Sequence, residues 1–250
     1  MTLVEAIAIL LAGVAAGTIN VVVGSGTLIT FPVLLTCGFA PVVANVSNTI
    51  GLVPGSLSGV VGYRRELHEQ RNLLPQLCAA SLTGGIIGAI ALLELPEGAF
   101  EAIVPVFIVA ALVLIVLQPR LAKRLADRRP NRDGRPGALT TAAVVGTGVY
   151  GGYFGAAQGI LLLGILGVTL PQDLQNVNAI KNLLAMLVNL VAGFVFVFVA
   201  PVDWGAAGLV AGGSIVGGAL GARYGRRLPP TALRGLIVVV GVVAIVRLLT

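Results

Sequence analysis

Long apolar runs, separated by short charged or proline-rich breaks, organise this chain. Leu3–Val23, Val42–Gly62, Leu73–Leu93, Ala99–Leu117, Val177–Ala200, Trp204–Gly221 and Gly235–Leu249 each suit one membrane-crossing helix. Ala138–Leu170 is too long for one crossing and short for two, and Gly24–Ala40 is a similar surplus in the first half. Both surplus stretches lie just before an asparagine-bearing segment, which predicts short or re-entrant helices broken at glycine. Membrane barrels would show segments of about 10 residues with alternating polarity; these runs are unbroken, so helices do the spanning. The expected fold is therefore an all-α polytopic integral membrane protein with about eight transmembrane helices.

A repeat lies over this pattern. Ser81, Gly84, Gly85, Gly88, Ala89 and Pro96 read S-x-x-G-G-x-x-G-A-x6-P, and Ser214, Gly217, Gly218, Gly221, Ala222 and Pro229 read the same 133 positions later. Upstream, Gly26 falls opposite Gly159; after one inserted residue Asn48 falls opposite Asn182 and Gly59 opposite Gly193. Two homologous repeats follow, residues 1–118 and 138–250, joined by a linker at 119–137, and transporters built this way bind substrate between the repeats. The repeated glycines are read as sites of close helix contact.

Composition agrees with a bilayer: 57% of residues are hydrophobic and 10% charged, against about 25% charged in soluble domains. The first apolar run lacks a basic n-region and an A-x-A-like cleavage site, so it is read as a retained span. Cys37 and Cys78 sit in apolar surroundings and read as small buried hydrophobes. His68, the sole histidine, lies in a charged loop, so no metal-ligand set is present and no cofactor is implied.

Loop charge orients the chain. The linker carries Arg120, Lys123, Arg124, Arg128, Arg129, Arg132 and Arg135, which places it in the cytoplasm. It is read as a topology anchor beside membrane lipids, not as a nucleic-acid site. Arg64, Arg65 and Arg71 make the first-half loop basic, whereas its counterpart holds only Asp203; in the next loop Glu94 and Glu101 fall opposite Arg227 and Arg234. Opposite charge in equivalent loops points to inverted repeats. Counting four long spans per half would give parallel repeats instead.

Every acidic residue (Glu5, Glu66, Glu69, Glu94, Glu97, Glu101, Asp127, Asp133, Asp173 and Asp203) falls at a span end or in a loop. Without a mid-membrane carboxylate, metal-ion pumps and cation exchangers are disfavoured. No nucleophile and base stand together, and no Walker loop or H-E-x-x-H pattern occurs, so an enzyme is not expected. What the interior does hold is Lys181, within Asn176, Val177, Asn178, Ala179, Ile180, Lys181 and Asn182. Asn178 and Asn182 share a helical face with Lys181 beside it; the competing reading is a lysine that snorkels to a nearby interface. The first half offers Asn45, Ser47, Asn48 and Thr49 at the matching place, with Asn20, Gly24, Ser25, Gly26 and Thr27 at its glycine break and Gln158 and Gly159 at the other. Neutral donors from both halves and one cation suit a small anionic solute, especially where broken-helix N-termini point inward. The bland alternative for the asparagines and serines is interhelical hydrogen bonding.

The run G-S-G-T-L-I-T-F-P-V-L-L from Gly24, the A-N-V-S-N-T from Ala44, the G-Y-R-R after the second span and the repeated G-G-x-x-G-A resemble the TauE/SafE sulfite-exporter family of membrane permeases. The resemblance covers nearly the whole chain. It implies a secondary transporter in the bacterial inner membrane that moves sulfur-containing anions such as sulfite, thiosulfate or sulfonates, often outward. By position it places the site at the two glycine breaks and the Asn/Ser/Lys helices that follow. Gln158 and Lys181 have no chemical counterpart in the first half, so the half-sites are not equivalent. Alternating access is the expected mechanism, with Lys181 offsetting the anion's charge and Asn48, Asn182, Asn178, Ser25 and Thr27 orienting it. The alternatives are a carrier of carboxylates or other organic anions, a channel, and a non-transporting membrane scaffold.

Overall fold

The computed structural model describes residues 1–126 and 136–225, with 235, 237–240 and 242 beyond them. Ten helices have defined bounds: α1 (Leu3–Val22), α2 (Thr27–Thr36), α3 (Pro41–Gly62), α4 (Arg64–Glu69), α5 (Leu74–Glu94), α6 (Glu97–Ala126), α7 (Ala138–Tyr153), α8 (Gln158–Thr169), α9 (Leu174–Val199) and α10 (Trp204–Tyr224). Among the described residues, five apolar stretches are long enough to cross a membrane: α1, α5, Gly98–Leu117 of α6, α9 and α10. Together with the shorter apolar α2 and α8 they make the chain an all-helical, polytopic membrane protein. α3 is equally long at 22 residues, but polar Asn45, Ser47, Asn48 and Thr49 lower its apolarity while lying buried.

Several element boundaries differ from the sequence pattern. The charged loop after the second span folds as the short helix α4, and α6 continues past Leu117 to Ala126. The rest of the basic linker, residues 127–135, lies outside the described residues, as do Arg226, Arg227, Pro229, Arg234 and most of the expected Gly235–Leu249 span.

The acids at span ends have structural work. Thr2 and Glu5 form a reciprocal capping box on α1. Asp173 accepts from the Asn176 N–H at the start of α9, and Asp203 from the Ala206 N–H at the start of α10; each satisfies an otherwise orphaned donor.

Packing between helices runs through the repeated glycines. A methyl at Gly88 of α5 would collide with the Val149 carbonyl of α7, and one at Gly217 of α10 with the Val14 carbonyl of α1. Small residues let the backbones approach in this way where no hydrophobic effect drives helices together. The repeat-related serines also reach across the halves: Ser81 Oγ donates to the Leu184 carbonyl of α9 at 3.1 Å, and Ser214 Oγ to the Gly51 carbonyl of α3 at 2.8 Å.

Contact register gives the helix directions. Gly13 lies by Gly213 and Gly17 by Ser214 and Gly218, so α1 and α10 run in parallel; Gly51 by Val210 and Gly62 by Ala222 add α3 to that set. Gly84 by Gly148 and Gly88 by Tyr153 align α5 with α7, while Gly85 by Val188 adds α9. The two sets oppose each other, because Gly193 of α9 meets Ile50 of α3 whereas Asn178 meets Tyr63 beyond that helix's far end. Arg64, Arg65, Arg71 and Arg223 consequently share one end of the bundle, and Glu5, Glu94 and Asp203 the other.

Candidate functional site

Two helices break off inside the bundle. After α1, the Val23 and Gly24 N–H groups both donate to the Ile19 carbonyl, at 2.7 and 3.0 Å, and the chain reverses through Gly24 at φ +87°. After α7, the Phe154 and Gly155 N–H groups likewise donate to Tyr150, at 2.9 and 3.1 Å, before Gly155 at φ +76° and Ala157 at φ 61°. The equivalent turn residues are thus Gly24 and Gly155, 155 − 24 = 131 positions apart, not the 133 of the later glycine motif. The turns touch: the Gly159 N–H donates to the Gly24 carbonyl at 3.0 Å, and a Cβ on either glycine would strike the other. Gly24 therefore needs glycine both for its left-handed backbone and for this contact.

A helix end inside a bundle leaves carbonyls without partners, and α9 supplies them. Lys181 Nζ donates to the Asn20 and Val21 carbonyls, both at 3.1 Å, while Asn178 and Asn182 direct their Nδ2 groups to Val21 at 3.4 and 3.3 Å. Lys181 is fully buried, so this cation lies within the fold and does not snorkel. Positive charge at a helix C-terminus also complements the macrodipole. Asn178 Nδ2 lies 3.0 Å from the Tyr63 hydroxyl, and Asn20 Nδ2 donates to Ser56 Oγ at 3.2 Å. The other break is held by Asn45 Nδ2 of α3, 3.0 Å from the Tyr153 carbonyl, and by the Tyr150 hydroxyl, which donates to the Ala156 carbonyl.

Nearer the crossing, Asn48 Nδ2 donates to Thr27 Oγ1 at 3.3 Å and Asn48 Oδ1 accepts from the Thr30 hydroxyl, pinning α2 to α3. Among the described residues, four buried side chains belonging to the turns, to the end of α7 or to the helix bonded to it have polar atoms with no protein partner: Ser25 Oγ (1% exposed), Asn45 Oδ1 (1%), Gln158 Nε2 (3%) and the Tyr153 hydroxyl (7%). Asn178 Oδ1, at the end of α1, and Gln175 Oε1, in the first turn of α9, are two more such atoms. Unpartnered buried polar atoms are costly, and four of them belong to residues in, beside or bonded to the two touching helix breaks. Three of these four can donate.

The residues singled out from the sequence divide into three groups. Gly24, Ser25, Gly26, Thr27, Asn45, Asn48, Gln158 and Gly159 converge on the crossing, and Asn20, Asn178, Lys181 and Asn182 on the end of α1. Ser47 and Thr49 point elsewhere: Ser47 Oγ accepts from the Asp203 N–H at 3.0 Å, and the Thr49 hydroxyl donates back to the Asn45 carbonyl at 2.9 Å. Tyr153, Tyr63, Thr30 and Ser56 belong to the two clusters without having been singled out. Tyr153 had one usable signal, its place two residues before the turn glycine; its ring joins Phe31, Phe100, Phe107 and Phe154 in a packed aromatic wall at centroid spacings of 5.1–6.5 Å. At the basic end, a cavity of about 460 Å³ is lined by Val61, Gly62, Arg64, Arg65 and Glu66, and Tyr63, adjacent to these in the chain, meets Asn178 through its hydroxyl.

Comparison with known proteins matches the chain to one family. The profile described as sulfite exporter TauE/SafE matches residues 9–248. Among curated proteins, the chain is similar to the probable membrane transporter protein ORF9 of Sinorhizobium sp, 29% identical over 94% of this chain and 88% of that protein. The probable membrane transporter protein YfcA of Escherichia coli (strain K12) is 28% identical over 94% and 86%, and a probable membrane transporter protein of Haemophilus influenzae is 23% identical over 91% and 88%. No solved structure matches significantly.

Proposed function

The chain belongs to the sulfite exporter TauE/SafE family, and on that premise we propose that it is a secondary transporter, not an enzyme, exporting sulfur-containing anions such as sulfite, thiosulfate or organosulfonates across the bacterial inner membrane. The observation that carries the reading is the set of unpartnered buried groups at the two touching breaks. Ser25, Gln158 and Tyr153 offer donors to an oxyanion, the first turn of α2 contributes its positive dipole end, and Lys181 lies beside them at the end of α1.

The two halves act as inverted repeats about this point. Supporting this, α3 and α9 run in opposite directions, as do α1 and α7, and each half's asparagine helix holds the broken end of the other half. The basic end faces the cytoplasm by its arginines, and its cavity beside Tyr63 is the approach for solute from that side. Rocking of one half against the other exchanges those clamps and exposes the anion to the opposite side.

Melting of the purified protein in detergent tests this. A ligand that binds only the folded state raises the melting point, by about 2.7 kcal/mol of stability at 100 times its Kd. Sulfite, thiosulfate or a sulfonate is expected to stabilise where sulfate, chloride and acetate do not. Stabilisation by carboxylates alone would overturn the sulfur-anion reading, and no response to any solute would remove the transporter reading of the site.

A further inference from the structure

The orientation of one buried amide narrows the substrate class. Asn45 Nδ2 lies 3.0 Å from the Tyr153 carbonyl. A carbonyl only accepts, so the group facing it must be the amide NH₂, and a flipped side chain would set two acceptors against each other. Asn45 Oδ1 is thereby fixed as an acceptor, buried and without a partner in the protein. Asn178 repeats the arrangement: Nδ2 faces the Val21 carbonyl and Oδ1 is left unpartnered.

Residues in or beside the two touching turns thus carry unpartnered donors, on Ser25, Gln158 and Tyr153, and Asn45, bonded to the end of α7, adds an obligatory acceptor. A fully deprotonated oxyanion or a plain alkanesulfonate satisfies the donors and leaves Asn45 Oδ1 stranded, at the cost of a buried polar atom without a bond. An anion that also carries an O–H or N–H satisfies both. We propose that Asn45 is a specificity-determining residue and that the solute is a sulfur oxyanion bearing its own hydrogen-bond donor: a protonated oxyanion, or a sulfonate with a hydroxyl or amino group on a short chain. This rests on the functional reading above and narrows it.

The test uses two near-isosteric monoanions, hydroxyethanesulfonate and propanesulfonate, which differ by a terminal hydroxyl in place of a methyl. Affinity is measured for the full chain in detergent by melting against ligand concentration and by isothermal titration. Hydroxyethanesulfonate is expected to bind about tenfold more tightly or better, because sites built to bond a hydroxyl reject its analogue strongly. In Asn45→Leu the ratio of the two affinities should fall towards one, whatever the lost bond to the Tyr153 carbonyl does to both ligands alike. Equal affinities in the wild type, or a preference that survives Asn45→Leu, overturns the proposal even where both sulfonates bind and the transporter reading stands. If Asn45→Leu does not fold, the wild-type pair decides alone. Binding of neither sulfonate, with sulfite also without effect, removes the functional reading itself.

Discussion

Lys181 is where sequence and structure meet most usefully at the scale of single residues. An interior lysine stands out in so apolar a chain, but its partners cannot be read from spacing, because Asn20 and Val21 lie 161 and 160 positions away. The same holds for Tyr153 and Tyr63, which spacing did not single out: the Tyr153 hydroxyl is buried without a protein partner, and the Tyr63 hydroxyl lies by Asn178. If the ammonium's charge matters beyond packing, Lys181→Met should fold, since an apolar isostere of a buried charge is often tolerated. It should also weaken anion binding by roughly 10- to 100-fold, the range of a charge-assisted hydrogen bond. Unchanged affinity in titration calorimetry would confine Lys181 to clamping α1. Ala157 supplies a second prediction at this scale. Its φ of 61° is left-handed, at a cost of about 1–2 kcal/mol for an L residue. Ala157→Gly is therefore expected to raise the melting temperature, and a lower one would show that the alanine methyl contributes packing worth more than the strain.

At the scale of elements, five of the spans, both helix breaks and the role of the repeated glycines were legible, because each leaves a local trace: apolar length, a glycine cluster, a four-residue spacing of small side chains. Three things were not. α4 formed where charge density suggested a loop, since Leu67 buries one side of a single helical turn. Ser47 and Thr49 shared a polar segment with Asn45 and Asn48, yet helical rotation turned them towards Asp203 and their own backbone. The register of the breaks, set by Gly24 and Gly155, was hidden behind the more conspicuous Gly26–Gly159 match. Close packing at this scale carries a direct expectation. Gly88→Leu on α5 and Gly217→Leu on α10 each drive a side chain into a facing carbonyl. Each should destabilise by about 1–3 kcal/mol or more, seen as a lower melting point in detergent; a shift no larger than that of Gly146→Leu, which has open space around it, would contradict the contact.

For the whole molecule, charge and direction point the same way. The arginines of α4 and α10 lie at one end, and Glu5 with Cys37 at the other, since α3 separates Cys37 from Arg64 by 22 helical residues, or about 33 Å. Cys37 is a free thiol whose pKa is raised, first by burial and then by the charge of Glu5. In a Cys78→Ala background, a membrane-impermeant maleimide should label it from the periplasmic face, faster as pH rises, and faster still at neutral pH in Glu5→Gln, which removes one cause of the raised value. Labelling only after the cytoplasmic face is opened would reverse the orientation. The central claim, that touching helix breaks from opposed halves carry a sulfur anion across the membrane, is tested most directly by uptake of radiolabelled sulfite into proteoliposomes, with acetate as control and Ser25→Ala/Gln158→Leu alongside. Saturable sulfite uptake, absent for acetate and lowered about tenfold or more by a double change that spares folding, is the expected result. Uptake no different from empty liposomes, or unaltered in the folded double variant, would contradict it.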